Sequence, residues 1–366
     1  MACNGEAANR PPVDGSANAP DGMTVRDPMQ QPFAATSIWN MPIGSNARFV
    51  AANIVPPTER TLDHDDEIIV LTPSAPLVDI HKNTADWDPT KSRCGTSGVL
   101  LFSVPMPSDF VVLDPLPSTP NATLAVLLAD GRTLKQTEPF ARCVANQPGT
   151  SDYSFPDQDL YGPGIQGAHG GSRLSTIGGT LRLGELRPNG APPRHALKLD
   201  LFAHENYYND GQASDCYRWP AEVCDGYWND SSRAFVYGGK NPALRPGALL
   251  ALPTSVTVES LGLTSAPAQQ LAWTLQNYGA YVVDDTGYSA VAICTEAGPN
   301  GNFTDQFASD WGFTIVTHTN TQGLAAAFRV DMAKILAALE IVDNNSPTSV
   351  GGGGTPLQPL APEIAP

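Results

Sequence analysis

Arg194 to Ala203 read RHALKLDLFA. Leu197, Leu199 and Leu201 recur at every second position with His195 in their row, while Arg194, Ala196, Lys198 and Asp200 fall between them. A period of two marks a β-strand, whose successive side chains point to opposite faces. The same style extends outward from this stretch. GTLRLGEL (179–186) alternates too, EIIVLTPSAPLVDI (67–80) contains a strand, and SGVLLFSVPMP (97–107), DFVVLD (109–114) and ATLAVLLAD (122–130) follow at short spacing. LADGRTLKQT places an Asp-Gly turn between two extended runs, the mark of a hairpin. ALLALP (248–253), SVTVESL (255–261) and AYVVDD (280–285) continue the series.

Helical patterns come late. SAPAQQLAWTLQNYG (265–279) offers Ser265 as a cap, an early Pro267 and a terminating Gly279. FTDQFASDWGF (303–313) spaces Phe303, Phe307 and Trp311 by four, and DMAKILAALEIVD (331–343) is the strongest helix pattern after it. The fold expected is mainly β: a β-sandwich or jelly-roll-like core decorated with a few short helices and long loops. Residues 1–30 read as a flexible N-terminal arm. Residues 31–350 read as one large β-rich domain, with a sub-boundary near 262 before a more helical part. Residues 351–366 read as a Gly/Pro-rich tail.

The 366 residues are enough to bury a full core, and the 33 glycines and 34 prolines predict many turns. A net charge of -16 with no run of lysines and arginines excludes a nucleic-acid track. No run of 18 apolar residues exists, so no membrane span is expected. Six cysteines permit three bridges in 15 pairings, and no C-x-x-C suggests a zinc knuckle. Cys216 and Cys224, eight apart, could close a small loop. Sequons at Asn121, Asn229, Asn302 and Asn344, with the low lysine content, lean toward an extracellular or cell-surface location. The first 35 residues show no apolar leader, so a secreted form implies one removed upstream.

One region departs from the acidic average. Residues 161–204 hold Arg173, Arg182, Arg187, Arg194 and Lys198 against only Glu185 and Asp200, together with three of the six histidines, His169, His195 and His204. A basic strip in an acidic chain suits an acidic substrate; its plain alternative is internal ion pairing. Glycines at 167, 170 and 171 leave room beside His169 for backbone N–H groups to meet an oxyanion or a sugar hydroxyl. No G-x-S-x-G elbow accompanies them, which makes Ser172 a poor nucleophile. Glu185, set between leucines, suits an acid of raised pKa as well as a salt bridge.

The candidate catalytic residues are therefore His169, Glu185, Asp157, Asp159, His195 and His204. The candidate substrate contacts are Arg173, Arg182, Arg194, Tyr207, Tyr208, Trp219, Tyr227, Trp228, Asp284 and Asp285. Aromatic faces stack on sugars, and two carboxylates from separate segments can form a hydrolytic pair. The expected function is a secreted glycoside hydrolase acting on a polysaccharide. The alternatives are a lyase on a uronate-containing glycan, with a His or Tyr base and an Arg neutraliser, and a non-catalytic glycan-binding, adhesive or filament-forming protein. No cofactor is demanded by any motif: neither H-E-x-x-H nor an EF-hand loop occurs. Calcium held by acidic loops, or a divalent ion among the three histidines, stays open. The partners expected are a polysaccharide or glycan, with self-association through the terminal arms.

Overall fold

A computed structural model of the chain describes residues 16–18, 24–94, 97–114, 120–211 and 216–364. It is a mixed α/β fold with two principal sheets, of twelve and three strands, beside a two-stranded ladder joining Ser16–Asn18 to Thr24–Arg26. Many strands and few helices were expected. The pairing, however, gives no closed sandwich or jelly roll among the described residues. The large sheet contains parallel neighbours, which an all-antiparallel reading would not produce.

The centre of the large sheet is four strands side by side: Arg60–Val70, Ala290–Gly298, Leu197–Leu201 and Ala280–Asp285. The first pair is parallel, the second antiparallel and the third parallel. Thr133–Glu138 lies further out, joined through Leu124–Leu127. The alternation in RHALKLDLFA is real, yet all five residues of Leu197–Leu201 are buried. Leu197, Leu199 and Leu201 pack with Val291, Ile293 and Val282 against Leu271, Phe307 and Ile335 of three helices, Ala266–Asn277, Phe303–Trp311 and Gly323–Ala338. The opposite face is covered as well. There Tyr281, Val283 and Cys294 meet Trp39, Leu174 and Ile177 of the segments 33–43 and 160–181. Lys198 and Asp200 point under that second cover, not to solvent. A third core, of Ile68, Val70, Ile80, Val104 and Phe140, joins the three-stranded sheet to the large one.

Several local expectations need correction. GTLRLGEL is not a strand: Leu181 makes a single bridge to Thr295, and the chain then turns through Gly184 (φ 98°) and Leu186 (φ 50°). DFVVLD contributes one bridge, Val112 to Arg142, and SVTVESL ends in the short 3-10 turn Glu259–Leu261. The last helix is Gly323–Ala338, starting earlier than 331. Glu340–Val342 is a strand paired with Leu249–Ala251 and Phe49–Ala51. The Ala- and Leu-rich run from 324 propagates the helix, while β-branched Ile341 and Val342 complete the sheet.

Cys94 is bonded to Cys143 and Cys216 to Cys224, the latter as its spacing suggested. Cys294 is the free cysteine among the described residues, and Cys3 lies outside them. Most of the N-terminal arm also lies outside. Arg26 is buried and bonds Gln31 O and Pro362 O, which joins residue 26 to the C-terminal segment. Residues 351–364 form a wrap: Gly44 N bonds Gly351 O at 2.9 Å and Leu357 N bonds Ile43 O at 2.8 Å.

Candidate functional site

The central strands each deliver a chemically active side chain to the face beneath residues 160–181. Arg60–Val70 supplies Asp65 and Glu67, Ala290–Gly298 supplies Cys294, Leu197–Leu201 supplies Lys198 and Asp200, and Ala280–Asp285 supplies Asp284. Register makes them neighbours: Cys294 stands opposite Asp65, and Asp200 opposite Asp284. From above, the strand Gln166–His169 lowers His169 into this group.

His169 is fully buried. Its Nε2 lies 2.9 Å from Glu67 Oε1, 3.3 Å from Cys294 Sγ, 3.8 Å from Asp65 Oδ2 and 4.0 Å from Asp200 Oδ1; Nδ1 lies 3.7 Å from Asp284 Oδ2. Burial alone would lower the imidazole pKa, but Glu67 outweighs it and holds His169 at about 9. Burial likewise pushes Glu67 upward, and Lys198 followed by His169 brings it down to about 2. Lys198 donates to Glu67 Oε1 and to the carbonyls of Ser175 (3.0 Å) and Thr176 (2.8 Å), and Thr123 caps the other Glu67 oxygen. Asp200 rises to about 8, chiefly from burial, and its Oδ1 has no hydrogen-bond partner among the described residues.

A second group sits on the outer side of His169. The position a β-carbon would take on Gly170 is 2.9 Å from Asp284 Oδ2 and 3.2 Å from Glu138 Oε2. The two carboxyls therefore face each other across a backbone that bears no side chain, and Asn121 closes the third side. Gly171, at φ 68°, leans on Asp284 in a conformation that also needs glycine. Asp284 Oδ2 accepts from Asn121 Nδ2 at 2.5 Å and Oδ1 from the Asp285 N–H at 2.8 Å. Glu138 Oε2 is buried without a hydrogen-bond partner among the described residues. Burial first, with His169 opposing, carries Glu138 up to about 8. Burial, then Asp225 and Asp200, raises Asp284 well above the usual carboxylate range. Asp225 is itself raised to about 6 by burial and accepts from Tyr237 OH at 2.7 Å.

The sequence candidates divide. His169 and Asp284 belong to this centre. Asp285 borders it with both oxygens occupied, by the N–H groups of Ala203 and Gly287 and by Tyr227 OH at 2.7 Å. Tyr207 is buried, donating to Asp284 O and accepting from Leu201 N. Arg173 is exposed beside the glycines. Glu185 and His195 form a separate pair, 3.1 Å apart, in which Glu185 also accepts from Arg182 N at 2.8 Å; Arg182 itself bonds Glu296 at 2.8 Å. Asp157 pairs with Lys135, and Asp159 binds Arg132 through two bonds on the surface. His204 bonds Val236 O, Arg194 lies over Trp273 and Tyr208 lies under Arg245. Trp228 packs at the edge of the helix-side core.

Trp219 lines a groove of about 290 Å³ with Gln158, Pro163, Ile165, Gln166 and Glu222. Gln166 opens the strand that ends at His169, and Gly170 follows it, so about 13 Å of extended chain separates groove and carboxyl pair. Glu67, Glu138, Asp65, Lys198, Asp200 and Cys294 were not among the sequence candidates. The available signal was polar residues inside strands, Lys198 and Asp200 above all. The cluster Asp65, Glu67, His169 and Cys294 offers four donor atoms within 4.8 Å of one another, a set that could hold a metal ion. Comparison with protein-family models, curated proteins and solved structures finds no match for this chain.

Proposed function

We propose that the protein is a secreted glycoside hydrolase whose acid and nucleophile are Glu138 and Asp284. The observation that carries this reading is the meeting of the two carboxyls at Gly170. Two oxygens at 3.2 Å and 2.9 Å from one point are at most about 6 Å apart, which suits the retaining geometry of roughly 5–5.5 Å better than the wider inverting one. We assign the roles by hydrogen bonding. Burial raises both carboxyls, but two N–H donors stabilise the anion on Asp284 against that rise, while the Glu138 oxygen, unpartnered among the described residues, has nothing to offset it.

Glu138 gives its proton to the glycosidic oxygen as Asp284 bonds the anomeric carbon and the sugar–oxygen bond breaks. Water, deprotonated by Glu138, then attacks that carbon and releases Asp284. The Trp219 groove offers an aromatic face with amide and carboxylate groups for a neighbouring sugar. The two disulfides support an oxidising location, and no helix among the described residues is long and apolar enough to cross a membrane.

The test is an assay of new reducing ends on neutral and acidic polysaccharides. Glu138→Gln and Asp284→Asn are each expected to cost about a hundred- to ten-thousand-fold in rate. Reducing ends accompanied by unsaturated uronate absorbance would instead select a lyase, and glycan binding without turnover a binding protein.

A further inference from the structure

We infer that the floor of the site is a cage for one transition-metal dication of the zinc class, held by His169, Cys294, Asp65 and Glu67 with Asp200 as a further donor. The geometry comes first. Around His169 Nε2 the other donor atoms stand at 2.9, 3.3, 3.8 and 4.0 Å. Tetrahedral zinc with bonds of 2.0–2.3 Å separates its ligand atoms by roughly 3.3–3.8 Å; the distances from Nε2 bracket that range, and all four donors lie within 4.8 Å of one another. The strand register already sets Cys294 beside Asp65, and neither has to be recruited from a loop.

Asp200 supplies an independent observation. It is 3% exposed, and its Oδ1 is aimed at the same nitrogen with no hydrogen-bond partner among the described residues. A buried carboxyl oxygen left unsatisfied is costly, and a cation is one way to satisfy it. Charge points the same way. Asp65, Glu67, Asp200, Asp284 and Glu138 crowd His169, while Lys198 is the lysine bonded within the group. Lys198 is fixed from one side by Ser175 O and Thr176 O, which leaves the Asp65 and Cys294 side for the ion. Asp65, 28% exposed at its side chain, gives that side an entry from solvent.

The donor types narrow the class. A thiolate and an imidazole among carboxylates suit zinc, cobalt or iron; calcium and magnesium take oxygen ligands only. Calcium, left open by the sequence, is the poorer match here.

The test uses the full chain stripped of metal by chelator and needs no substrate, so its outcome is separate from that of the hydrolase reading. Calorimetric titration with ZnCl2 is expected to show one ion per chain, with a raised melting temperature that CaCl2 does not reproduce. CoCl2 is expected to give a near-ultraviolet thiolate-to-cobalt band that Cys294→Ser abolishes. Asp200→Asn, nearly isosteric, is expected to weaken zinc binding tenfold or more and serves if the cysteine variant does not fold. Absence of stoichiometric zinc or cobalt uptake by folded wild-type protein would overturn the inference. So would an unchanged cobalt spectrum in Cys294→Ser together with unchanged zinc affinity in Asp200→Asn.

Discussion

Glu138 keeps a proton that the unfolded chain would release. Its folded pKa is about 8, against about 4.3 for a free glutamate. Between those values the folded state binds more protons than the unfolded state, so stability is lost as pH rises through the window. The groups facing it are His169, Glu67, Asp225, Arg173 and, across Gly170, Asp284. Glu138→Gln keeps the shape and removes the titration. It is expected to melt higher than wild type, with a gain small near pH 4 and largest at pH 8, while losing hydrolysis. Scanning calorimetry across that range checks it, and a gain independent of pH would contradict it. Lys198 acts in the opposite sense. Its ammonium is buried with Glu67, and Lys198→Met removes one of that carboxylate's two cationic neighbours, leaving His169 and the Thr123 hydroxyl. Breaking one side of such a pair costs about 3–5 kcal/mol, read from urea unfolding at neutral pH. A loss below 1 kcal/mol would mean that Glu67 is compensated by something other than Lys198.

At the scale of elements, what was legible in the sequence was periodicity, and what was not was which faces are covered. RHALKLDLFA shows its strand plainly, and SAPAQQLAWTLQNYG shows its helix from cap to glycine. Alternation alone suggests that Lys198 and Asp200 look outward. They look inward because residues 160–181 lie over that face, a long-range fact absent from any local window. Ala290–Gly298 passed unread because its alanines, cysteine and threonine dilute the apolar pattern, although it pairs with both Arg60–Val70 and Leu197–Leu201. GTLRLGEL misled in the other direction: it alternates, but Gly184 and Leu186 turn the chain, and Glu185 then closes on His195. The His169 hairpin was legible as glycines around a histidine. Glu138 was not, since a glutamate ending a strand before proline carries no signal of burial. The groove at the start of that hairpin makes its own prediction. Trp219→Ala is expected to raise KM about tenfold with kcat within about twofold, because it removes sugar stacking worth roughly 1–2 kcal/mol without touching the reacting atoms. Steady-state kinetics decide, and an equal fall in kcat would place Trp219 in the chemistry.

Across the whole molecule, the cysteine spacing pointed to the Cys216–Cys224 bridge but not to Cys94–Cys143, and the acidic balance said nothing of the acids gathered inside. Residues 351–364 pack against the body they border. Gly351 to Gly354 all adopt positive φ and lie against residues 42–47, which explains four glycines in a row better than a loose tail does. Arg26 holds the same wrap at Pro362 O, and Gln358 of the wrap donates to Asn277 Oδ1. A chain ending at Ser349 is expected to melt several degrees lower, since it gives up these bonds and the cover over Ile43; an unchanged melting temperature would show the wrap to be ornamental. Sequons distribute by the same logic. The Asn121 amide donates to Asp284 and the Asn344 amide to Asn46 O and Gly352 O, so these two sequon side chains are engaged inside the fold. The central claim is that Glu138 and Asp284 together cleave a glycosidic bond. It is tested most directly by measuring product formation on a panel of polysaccharides with wild type, Glu138→Gln and Asp284→Asn at equal concentration. The account predicts reducing ends without unsaturated uronates from wild type, and almost none from either folded variant. Unsaturated ends from wild type, undiminished reducing ends from the variants, or no product from wild type on any glycan would contradict it.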